Sequence, residues 1–508
     1  MDGMGNKHYF IGIDIGAGSL TTTVIDLQGQ VVGSASAELT THSPHAGWSE
    51  QDPHDWWHAL CGTARQALAQ GSLAADQIGA VALSAGAHTP VLVDAAGQVI
   101  RPAILWSDTR SRLEAAELKE NHGSEIFGIA RNVPAPTWTQ PQLLWLARHE
   151  PDALARTKRL YVAKDWLRAQ LTDTWETDHT EAAGTLLYDV QRRQWSDRLC
   201  AMIGLDPALL PPLVAVTDVV GQVTTAAAAA TGLAVGTPVV CGSSDTSIET
   251  YGAGAVALGT GAVKLATAAT ITMVNAEPGP TASVIHYPFC VPDHWYAIGA
   301  TNSCASAHRW LRDTFFSGNG MTGAQAFQAM DRDAASVPAG AGGLLFHPYL
   351  QGERTPYWDP LLRGDFLGIT FAHERRHFVR ALYEGVAFSL YDVLQALEAQ
   401  GKAMTEARII GGGSHSATWR QIVADVLGIS IAMPRITDAS FGAALVAAVG
   451  AGAFPDLPTA AERTVAFVAH HEPDPRQHQR YLDMHAIYRD AARALFDINH
   501  RLSAISPR

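Results

Sequence analysis

The stretch YFIGIDIGAGSL, residues 9–20, decides how the rest of the chain is interpreted. Its apolar run carries a single carboxylate, Asp14, and then breaks into the small residues Gly-Ala-Gly-Ser at 16–19. The apolar run predicts a buried strand, and the small residues predict a tight turn after it. The question raised by this stretch is what an acid is for at the exit of a buried strand, facing a nearly bare backbone.

Two further strand-like runs follow at once, SLTTTVIDL at 19–27 and QVVGSASAEL at 30–39. Short turns between them predict antiparallel pairing, a β-meander, whereas a dinucleotide-binding fold would place a helix after the first strand. The same rhythm of strand, turn and strand returns at 78–106 and at 255–274, with helical patterns between. The sequence therefore predicts an α/β protein of two related domains that face one cleft.

Length, charge and cysteine content narrow the class of protein. A chain of 508 residues is too long for one core. Its 49 acidic against 36 basic residues, with no basic run, argue against nucleic acid or an anionic membrane as a partner. Five scattered cysteines without a CxxC pair predict reduced thiols in a cytoplasmic protein. The polar N-terminus predicts no signal peptide, and the apolar stretches are too short to predict a membrane span.

Three glycine clusters stand beside apolar runs. In chain order they are Gly16 and Gly18 with Ser19, then Gly259, Thr260 and Gly261, and then Gly411, Gly412 and Gly413. Glycines let backbone amides approach phosphate oxygens, because no Cβ holds the anion away. A tight turn would explain any one cluster, and none is a Walker loop or a GxGxxG fingerprint. Together, in a chain with repeated meanders, they predict nucleotide binding.

Two aspartates occupy similar positions. Asp14 precedes the first glycine turn, and Asp245 lies in VVCGSSDTSIETYGAG, where another apolar strand opens into small residues. Each could simply cap a helix or form a turn. Phosphoryl transfer, in contrast, needs one carboxylate near the phosphates for Mg2+ and a second that accepts the proton of the attacking hydroxyl. This interpretation assigns Asp14 to the metal and Asp245 to the substrate.

The chain resembles the FGGY family of carbohydrate kinases over essentially its whole length. The likeness rests on ordered segments, among them GIDIGAGS, GWSEQDPHDWW, AKDWLRAQLTDTWETDHTEAAGTLLYD, GSSDTSIETYGAG, HPYLQGERTPYWDPLLRGDFLGI and GGGSHSATWRQIVADVLG. Within the family, WSEQDP, RPAILW and DHTEAAGTLLYD most resemble the xylulokinases. The resemblance implies an actin-like fold of two ribonuclease-H-like domains, with ATP and Mg2+ in a central cleft.

The resemblance also implies roles for individual residues. Asp245 matches the catalytic base, and Asp14 matches the carboxylate at the first phosphate turn. Thr260 with its flanking glycines matches the phosphate loop of the second domain, and residues 411–413 match the adenosine-binding stretch. His88, Thr89 and Thr246 fall at substrate-binding positions.

The sequence departs from the family in the sugar-binding elements. Xylulokinases usually carry Gln-Met-His-Gly where this chain has Gly86, Ala87, His88 and Thr89. An Asn that often follows the catalytic Asp is Thr246 here, which lacks the two-sided hydrogen bonding of an amide. Because sugar selection depends on matched buried polar groups, these changes leave the preferred sugar open.

The first phosphate turn departs as well. Ala17 occupies a common Thr position, and Thr21 replaces a common Lys or Arg. These changes predict looser phosphate contacts, with the backbone donors and Asp14 retained.

Other motifs have competing interpretations. HERRH at 373–377 has the form of a zinc-peptidase HExxH, but its polar setting favours a solvated first helical turn. Trp48 and Glu50 could support the sheet or line the sugar site. Arg110 and Arg354 could meet substrate or anchor a neighbouring segment, and Asp108 is expected to be structural.

The residues and the resemblance together predict an ATP-dependent sugar kinase, and the resemblance implies that it converts D-xylulose to D-xylulose 5-phosphate. Alternatives are a kinase of another pentulose, a polyol or gluconate, a sugar- or ATP-binding regulator without catalysis, and an actin-like ATPase. The N-terminal domain is expected at 1–247 and the ATP-binding domain at 248–508, with helices from about 475 packing across the molecule. The resemblance suggests a homodimer.

Overall fold

The computed structural model describes residues 8–316, 323–401 and 403–505 and divides into two compact units. The first unit reaches Val256 and also includes His286–Trp295 and Ile436–Val465. The second unit contains Ala257–Ile285, Tyr296–Arg435 and the chain from Ala466 onward. The boundary predicted at 247/248 lies inside the helix Asp245–Gly252, and the first unit takes in later segments that the sequence assigned to the second.

The strands follow in chain order. They are β1 (Tyr9–Ile15), β2 (Ser19–Asp26), β3 (Val31–Glu38), β4 (Glu50–Gln51), β5 (Ile78–Ala85), β6 (Pro90–Val93), β7 (Ala103–Ile104), β8 (Arg159–Val162), β9 (Thr177–Asp178), β10 (Tyr188–Asp189), β11 (Gln194–Trp195), β12 (Leu213–Val214), β13 (Val219–Gln222), β14 (Pro238–Ser244), β15 (Thr260–Leu265), β16 (Ala269–Asn275), β17 (Ile285–Pro288), β18 (Trp295–Thr301), β19 (Leu345–His347), β20 (Asp365–Leu367), β21 (Glu406–Ile410), β22 (Ser430–Pro434) and β23 (Phe467–His471).

The α-helices lie between and after these strands. They are α1 (Pro53–Gln70), α2 (Arg112–Ala130), α3 (Thr139–His149), α4 (Pro151–Arg156), α5 (Ala163–Thr172), α6 (His179–Gly184), α7 (Asp197–Ala201), α8 (Thr225–Thr231), α9 (Asp245–Gly252), α10 (Ala305–Phe315), α11 (Gly323–Ala335), α12 (Arg375–Glu398), α13 (Ala417–Leu427), α14 (Ala439–Gly450), α15 (Leu457–Thr464) and α16 (Pro475–Ile505).

The main sheet of the first unit has the strand order β13-β14-β5-β1-β2-β3. β1, β2 and β3 form the predicted antiparallel meander, and β1, β5 and β14 are parallel. Helix α14 covers this sheet at β1. It approaches so closely that a Cβ on Gly12 would lie 1.9 Å from the Ser440 carbonyl oxygen, so only glycine fits there.

The main sheet of the second unit repeats this plan. Its strands run β18-β16-β15-β21-β22-β23, with β15 and β16 antiparallel and β15, β21 and β22 parallel. Each unit therefore combines a meander with parallel strands, which confirms the predicted α/β class. In a parallel sheet the carboxyl ends of the strands share one edge, and that edge is where functional groups are expected.

One further predicted feature, the strand pairing of residues 78–106, differs from the structure. The segment 78–106 does not form a hairpin, because β5 joins the main sheet while β6 pairs with β8. Helix α16 contacts α13 and β19. None of the five cysteines, all of which the structure describes, forms a disulfide. Across the described ranges, no helix combines the length and apolarity that a bilayer crossing requires.

Candidate active site

The carboxyl edge of the first sheet brings the two predicted aspartates to neighbouring strands. Asp14 lies next to the end of β1, and Asp245 begins α9 directly after β14. Strand β5 lies between them, and its Ser84 is opposite Asp14 in the parallel register. The Ser84 hydroxyl donates a hydrogen bond of 2.7 Å to Oδ1 of Asp14.

Asp14 lies in an acidic environment. Burial, and after it the negative charge of Asp245, raises the pKa of the Asp14 carboxyl well above its usual value. The hydrogen bond from Ser84 opposes this shift, whereas the charges of Asp438 and Glu249 add to it. Asp438 lies here because it caps α14, where it accepts the Ser440 amide at 2.8 Å. An edge with this surplus of negative charge favours a cation.

The Asp245 side chain presents its two oxygens to different neighbours. Oδ1 accepts the amide and, at 3.0 Å, the hydroxyl of Thr246, so this threonine orients the carboxylate. Oδ2 faces position 86, where a Cβ would lie 3.8 Å away and also 3.3 Å from the Trp106 ring. Gly86 therefore lies between Asp245 and the half-exposed Trp106, at a point where a side chain would crowd the Trp106 ring.

The predicted substrate residue His88 is already hydrogen-bonded inside the first unit. Its Nδ1 lies 3.0 Å from the Thr137 carbonyl, and its Nε2 lies 2.7 Å from the Tyr287 hydroxyl. The carbonyl can only accept, so Nδ1 carries the proton and Tyr287 donates to Nε2. Burial lowers the pKa of His88 to about 4, and the ring stacks on Trp138 at 4.4 Å. Thr89 beside it is buried.

The first glycine turn is open on the side of its amides. Within the described residues, the amides of Ala17 and Gly18 have no protein acceptor, although the Gly16 amide donates to Ser19. A Cβ on Gly18 would meet no atom within 4 Å, and its φ is not in the left-handed region. Packing therefore does not require glycine at position 18. A ligand that approaches the backbone at this turn would require it.

The second glycine cluster lies at the amino end of a strand. Gly259 and Thr260 stand at the start of β15, where Gly259 neighbours Thr405 at the start of β21. The amide and the hydroxyl of Thr260 both donate to the Ala257 carbonyl. A Cβ on Gly261 would lie 1.9 Å from the Thr272 carbonyl, so sheet packing alone requires that glycine.

A different turn occupies the carboxyl end of β15. It consists of Ala266, Thr267 and Ala268, joins β15 to β16, and is equivalent to the turn between β1 and β2 in the first unit. The start of α10 holds it in place, since the amides of Cys304 and Ser306 donate to the Thr267 carbonyl at 3.0 and 3.2 Å. This turn and Gly259 are about 20 Å apart along the strand, from the usual rise per residue.

The third glycine cluster shares an edge with that turn. Gly411 has a φ of 84° and stands against the Leu265 carbonyl, and Gly413 stands against the Leu265 and Trp419 side chains. Both glycines are therefore required by backbone geometry or packing. Gly412 between them is different, because a Cβ there would meet no atom within 4 Å.

The motifs with competing interpretations are structural. Glu374 of HERRH caps α12, and its amide donates to Nδ1 of His377, so the two histidines do not share a helix face. In the described ranges no cluster of three or more His, Cys, Asp or Glu side chains could hold a metal ion. Arg110 pairs with Glu50 and Asp108 at 2.7 Å and lies 3.7 Å above the Trp48 ring, which explains Trp48, Glu50 and Asp108 together.

Four further residues around the two aspartates were not predicted from the sequence. Ser84 and Tyr287 bond to Asp14 and His88, Trp106 lies close to Gly86, and Glu181 is buried in α6. Only Trp106 carried a local signal, at the end of RPAILW. The others depend on pairing and packing between segments far apart in the chain.

The residues present fit a magnesium ion bound mainly through ATP. Mg2+ is often held by one or two carboxylates, phosphate oxygens and water. Asp14 supplies such a carboxylate, and the excess of negative charge around it favours the binding of a cation.

Comparisons with known proteins agree with this geometry. The model of the FGGY family of carbohydrate kinases, N-terminal domain, matches residues 9–252, and that of the C-terminal domain matches residues 254–451. A xylulose kinase of Bacillus subtilis (strain 168) is 32% identical over 499 residues, which cover 98% of this chain and 99% of the relative. A xylulose kinase of Lactococcus lactis subsp. lactis (strain IL1403) is 31% identical over 97% of this chain and 98% of its own.

A solved structure gives the same result for the fold. The xylulose kinase from Rhodospirillum rubrum is 29% identical, with a TM-score of 0.89 over 97% of this chain and 100% of its own. The predicted fold of two ribonuclease-H-like domains, as in actin-like ATPases, is confirmed.

Proposed function

The chain belongs to the FGGY family of carbohydrate kinases, and from that premise we propose that it transfers the γ-phosphate of ATP to D-xylulose. The products are ADP and D-xylulose 5-phosphate. The observation that carries the proposal is the placement of Asp245 and Asp14 at one sheet edge, close enough for the charge of Asp245 to act on Asp14.

Asp245 is the general base of this reaction. The primary hydroxyl of the sugar lies at Oδ2 and gives its proton to this oxygen as the oxygen of the sugar attacks the γ-phosphate in line. Thr246 holds Oδ1 with its amide and hydroxyl, so the carboxylate keeps one orientation. Positioning of this kind is a large part of what an enzyme contributes to phosphoryl transfer.

Asp14 is the carboxylate for magnesium. When bound, Mg2+ neutralises charge on the phosphates. The protein contributes the Asp14 oxygens, of which Oδ1 is fixed by Ser84. Asp14 lies within the field of the neighbouring Asp245, the second cause after burial of its raised pKa, so a bound cation would be favoured at this carboxylate.

In each unit, taken by itself, one turn is assigned to phosphate binding. The amides of Ala17 and Gly18 are the donors of the first unit, because neither finds an acceptor in the described part of the protein. In the second unit we assign this role to residues 266–268, because they share a sheet edge with Gly411–Gly413 and Thr260 does not. The adenosine is expected beside Gly412, where the backbone is open.

The charges at the first edge favour a neutral sugar over an aldonate such as gluconate. A carboxylate substrate would need a cation near Asp245. The buried Lys164 is engaged by Asp165 and Asp178, at 2.5 and 3.1 Å, and Arg110 is engaged by Glu50 and Asp108. The exposed face of Trp106 instead offers an apolar surface for the carbon chain.

The test is sugar-dependent release of ADP from Mg-ATP by the purified protein. The panel contains D- and L-xylulose, D- and L-ribulose, gluconate, glycerol and erythritol, and Asp245→Asn is assayed beside the wild type. The highest kcat/KM is expected for D-xylulose, with the turnover lost in the variant. If another sugar is preferred, that sugar is the substrate and not D-xylulose. If ATP is hydrolysed at the same rate with and without every sugar, the proposed sugar kinase activity is wrong.

A further inference from the structure

Glu181 is a buried acid for which the described residues offer no hydrogen-bond partner. It lies in α6 and is 1% exposed, and neither Oε1 nor Oε2 has a protein donor or acceptor in the described part of the chain. Burying a polar group without a partner is costly. A carboxyl group in this position therefore calls for a partner that comes from outside the chain.

The usual local role of such a glutamate is absent. Glu181 is the third residue of α6, after the cap Asp178, and a glutamate there commonly accepts the amide of the cap residue. Neither of its oxygens does so. The neighbouring cation does not pair with it either, because Lys164 contacts Asp165 and Asp178. The Glu181 side chain thus takes part neither in capping the helix nor in the buried ion pairs.

Helix α6 lies between two parts of the active site. At its start, Oδ2 of Asp178 accepts the Ser243 hydroxyl at 2.7 Å, and Ser243 is two residues before Asp245. At its end, a Cβ on Gly184 would lie 3.3 Å from the His88 ring. Glu181 also acts electrostatically on Tyr287, the hydroxyl partner of His88, as does Asp245. Helix α6 therefore lies beside the segments that carry Asp245 and His88, and the charge of Asp245 acts on Glu181.

We propose that the carboxyl group of Glu181 binds a hydroxyl group of the sugar, other than the one that is phosphorylated. The proposal rests on the proposed sugar kinase activity and adds a specificity-determining residue to it. The ligand class is a neutral polyhydroxy compound, whose hydroxyl both donates and accepts a hydrogen bond.

The charges around Glu181 match this ligand. Burial raises the pKa of the carboxyl group well above its usual value. Lys164 opposes the shift, and Asp178, Asp165 and Asp245 add to it. A protonated carboxyl group offers one donor and one acceptor, the same pair that a sugar hydroxyl presents. Pairing the two satisfies both buried groups without adding charge to an acidic site.

The experiment measures how Glu181→Ala and Glu181→Gln change the use of D-xylulose and of its 1-, 3- and 4-deoxy analogues. With D-xylulose, Glu181→Ala should raise KM about 5- to 150-fold, the range for an unsatisfied buried partner, and leave the KM for ATP unchanged. Glu181→Gln keeps a donor and an acceptor and should stay close to the wild type. One analogue, which lacks the hydroxyl in question, should show equal kcat/KM in wild type and Glu181→Ala.

Glu114→Ala is the matched control. Glu114 is a buried glutamate of α2 whose Oε2 is also unpartnered in the described ranges, and it lies outside the site. Its loss should lower the melting temperature without changing the ranking of the analogues. A uniform loss of kcat/KM on every analogue by Glu181→Ala would overturn the proposal and make Glu181 structural. A wild type that neither binds nor phosphorylates any sugar would overturn the proposed function and this inference together.

Discussion

The carboxyl edges of the two main sheets share a topology and differ in chemistry. In the first unit the ends of β1 and β14 carry Asp14 and Asp245, and burial together with the charge of Asp245 raises the pKa of Asp14. In the second unit the end of β15, which corresponds to β1, carries the turn 266–268, and the end of β21, which corresponds to β5, carries Gly411–Gly413, with no acid in either segment. One fold plan thus presents a strongly acidic edge and an edge of small, uncharged residues.

The difference teaches that the topology sets where groups meet and the side chains set which ligand they accept. Carboxylates suit a metal ion and a proton in transit. Small residues and open amides suit phosphate oxygens, which carboxylates would repel. The predictions below test this division between the two edges.

The largest effect is expected at the acidic edge, in Asp245→Asn. The amide keeps the shape and cannot accept the proton, so kcat should fall roughly 100-fold or more, the size of a general-base effect. ATP binding, measured by calorimetry, should be unchanged. Asp206→Asn, at an exposed helix cap of the same unit, is the control and should behave as the wild type. Turnover within a few-fold of the wild type would remove Asp245 from the role.

A smaller loss is expected for Asp14→Asn. Removing a carboxylate from a metal environment typically lowers metal affinity or activity about 10- to 100-fold. The Mg2+ concentration for half-maximal rate should rise, and high Mg2+ should restore part of the activity. An unchanged Mg2+ titration would contradict the assignment of Asp14 to the metal.

The second edge is tested by a pair of isosteric variants, Thr267→Val and Thr260→Val. If residues 266–268 contact the phosphates, Thr267→Val should raise the KM for ATP about 2- to 10-fold, the value of one hydrogen bond. Thr260→Val should leave this KM unchanged and lower the melting temperature, because it loses the bond to the Ala257 carbonyl. The reverse result would return the phosphate loop to Gly259–Gly261.

The smallest effect concerns pH and the protein without ligands. An acid whose pKa is raised on folding binds its proton more tightly in the folded state, so stability falls as pH rises from the ordinary Asp value toward the raised one. In EDTA, the melting temperature of Asp14→Asn should gain on the wild type as pH rises, by about 2–4 °C for each kcal/mol relieved. A difference between the two proteins that is constant from pH 5 to 8 would show that Asp14 does not titrate in this range.

The sequence was informative where the signal was local. Asp14 and Asp245 each follow an apolar run and precede small residues, and this pattern was enough to place both at strand ends. The meander was likewise visible from its short turns. These features depend on neighbours within a few residues, which a single sequence displays.

The rest depended on partners far along the chain. Gly259-Thr260-Gly261 is a more conspicuous motif than Ala266-Thr267-Ala268, yet only the pairing of β15 with β16 and β21 shows which of them is a turn at the shared edge. Glu181 could not be recognised, because its burial and missing partners arise when α6 packs near β14. The role of Gly86 could not be predicted, because Trp106 and Asp245 approach it only in the folded protein.

The contact between Gly12 and Ser440 has a consequence for biosynthesis. The first unit is completed by α14, whose residues leave the ribosome long after Val256, since the second unit is encoded between them. At about 5–20 residues per second, the wait is roughly 10 to 40 s. During that interval the face of β1 that α14 will cover has no partner from its own chain. The nascent protein therefore passes through a stage in which one face of its first strand is uncovered, and the first unit is complete only after most of the second has been synthesised.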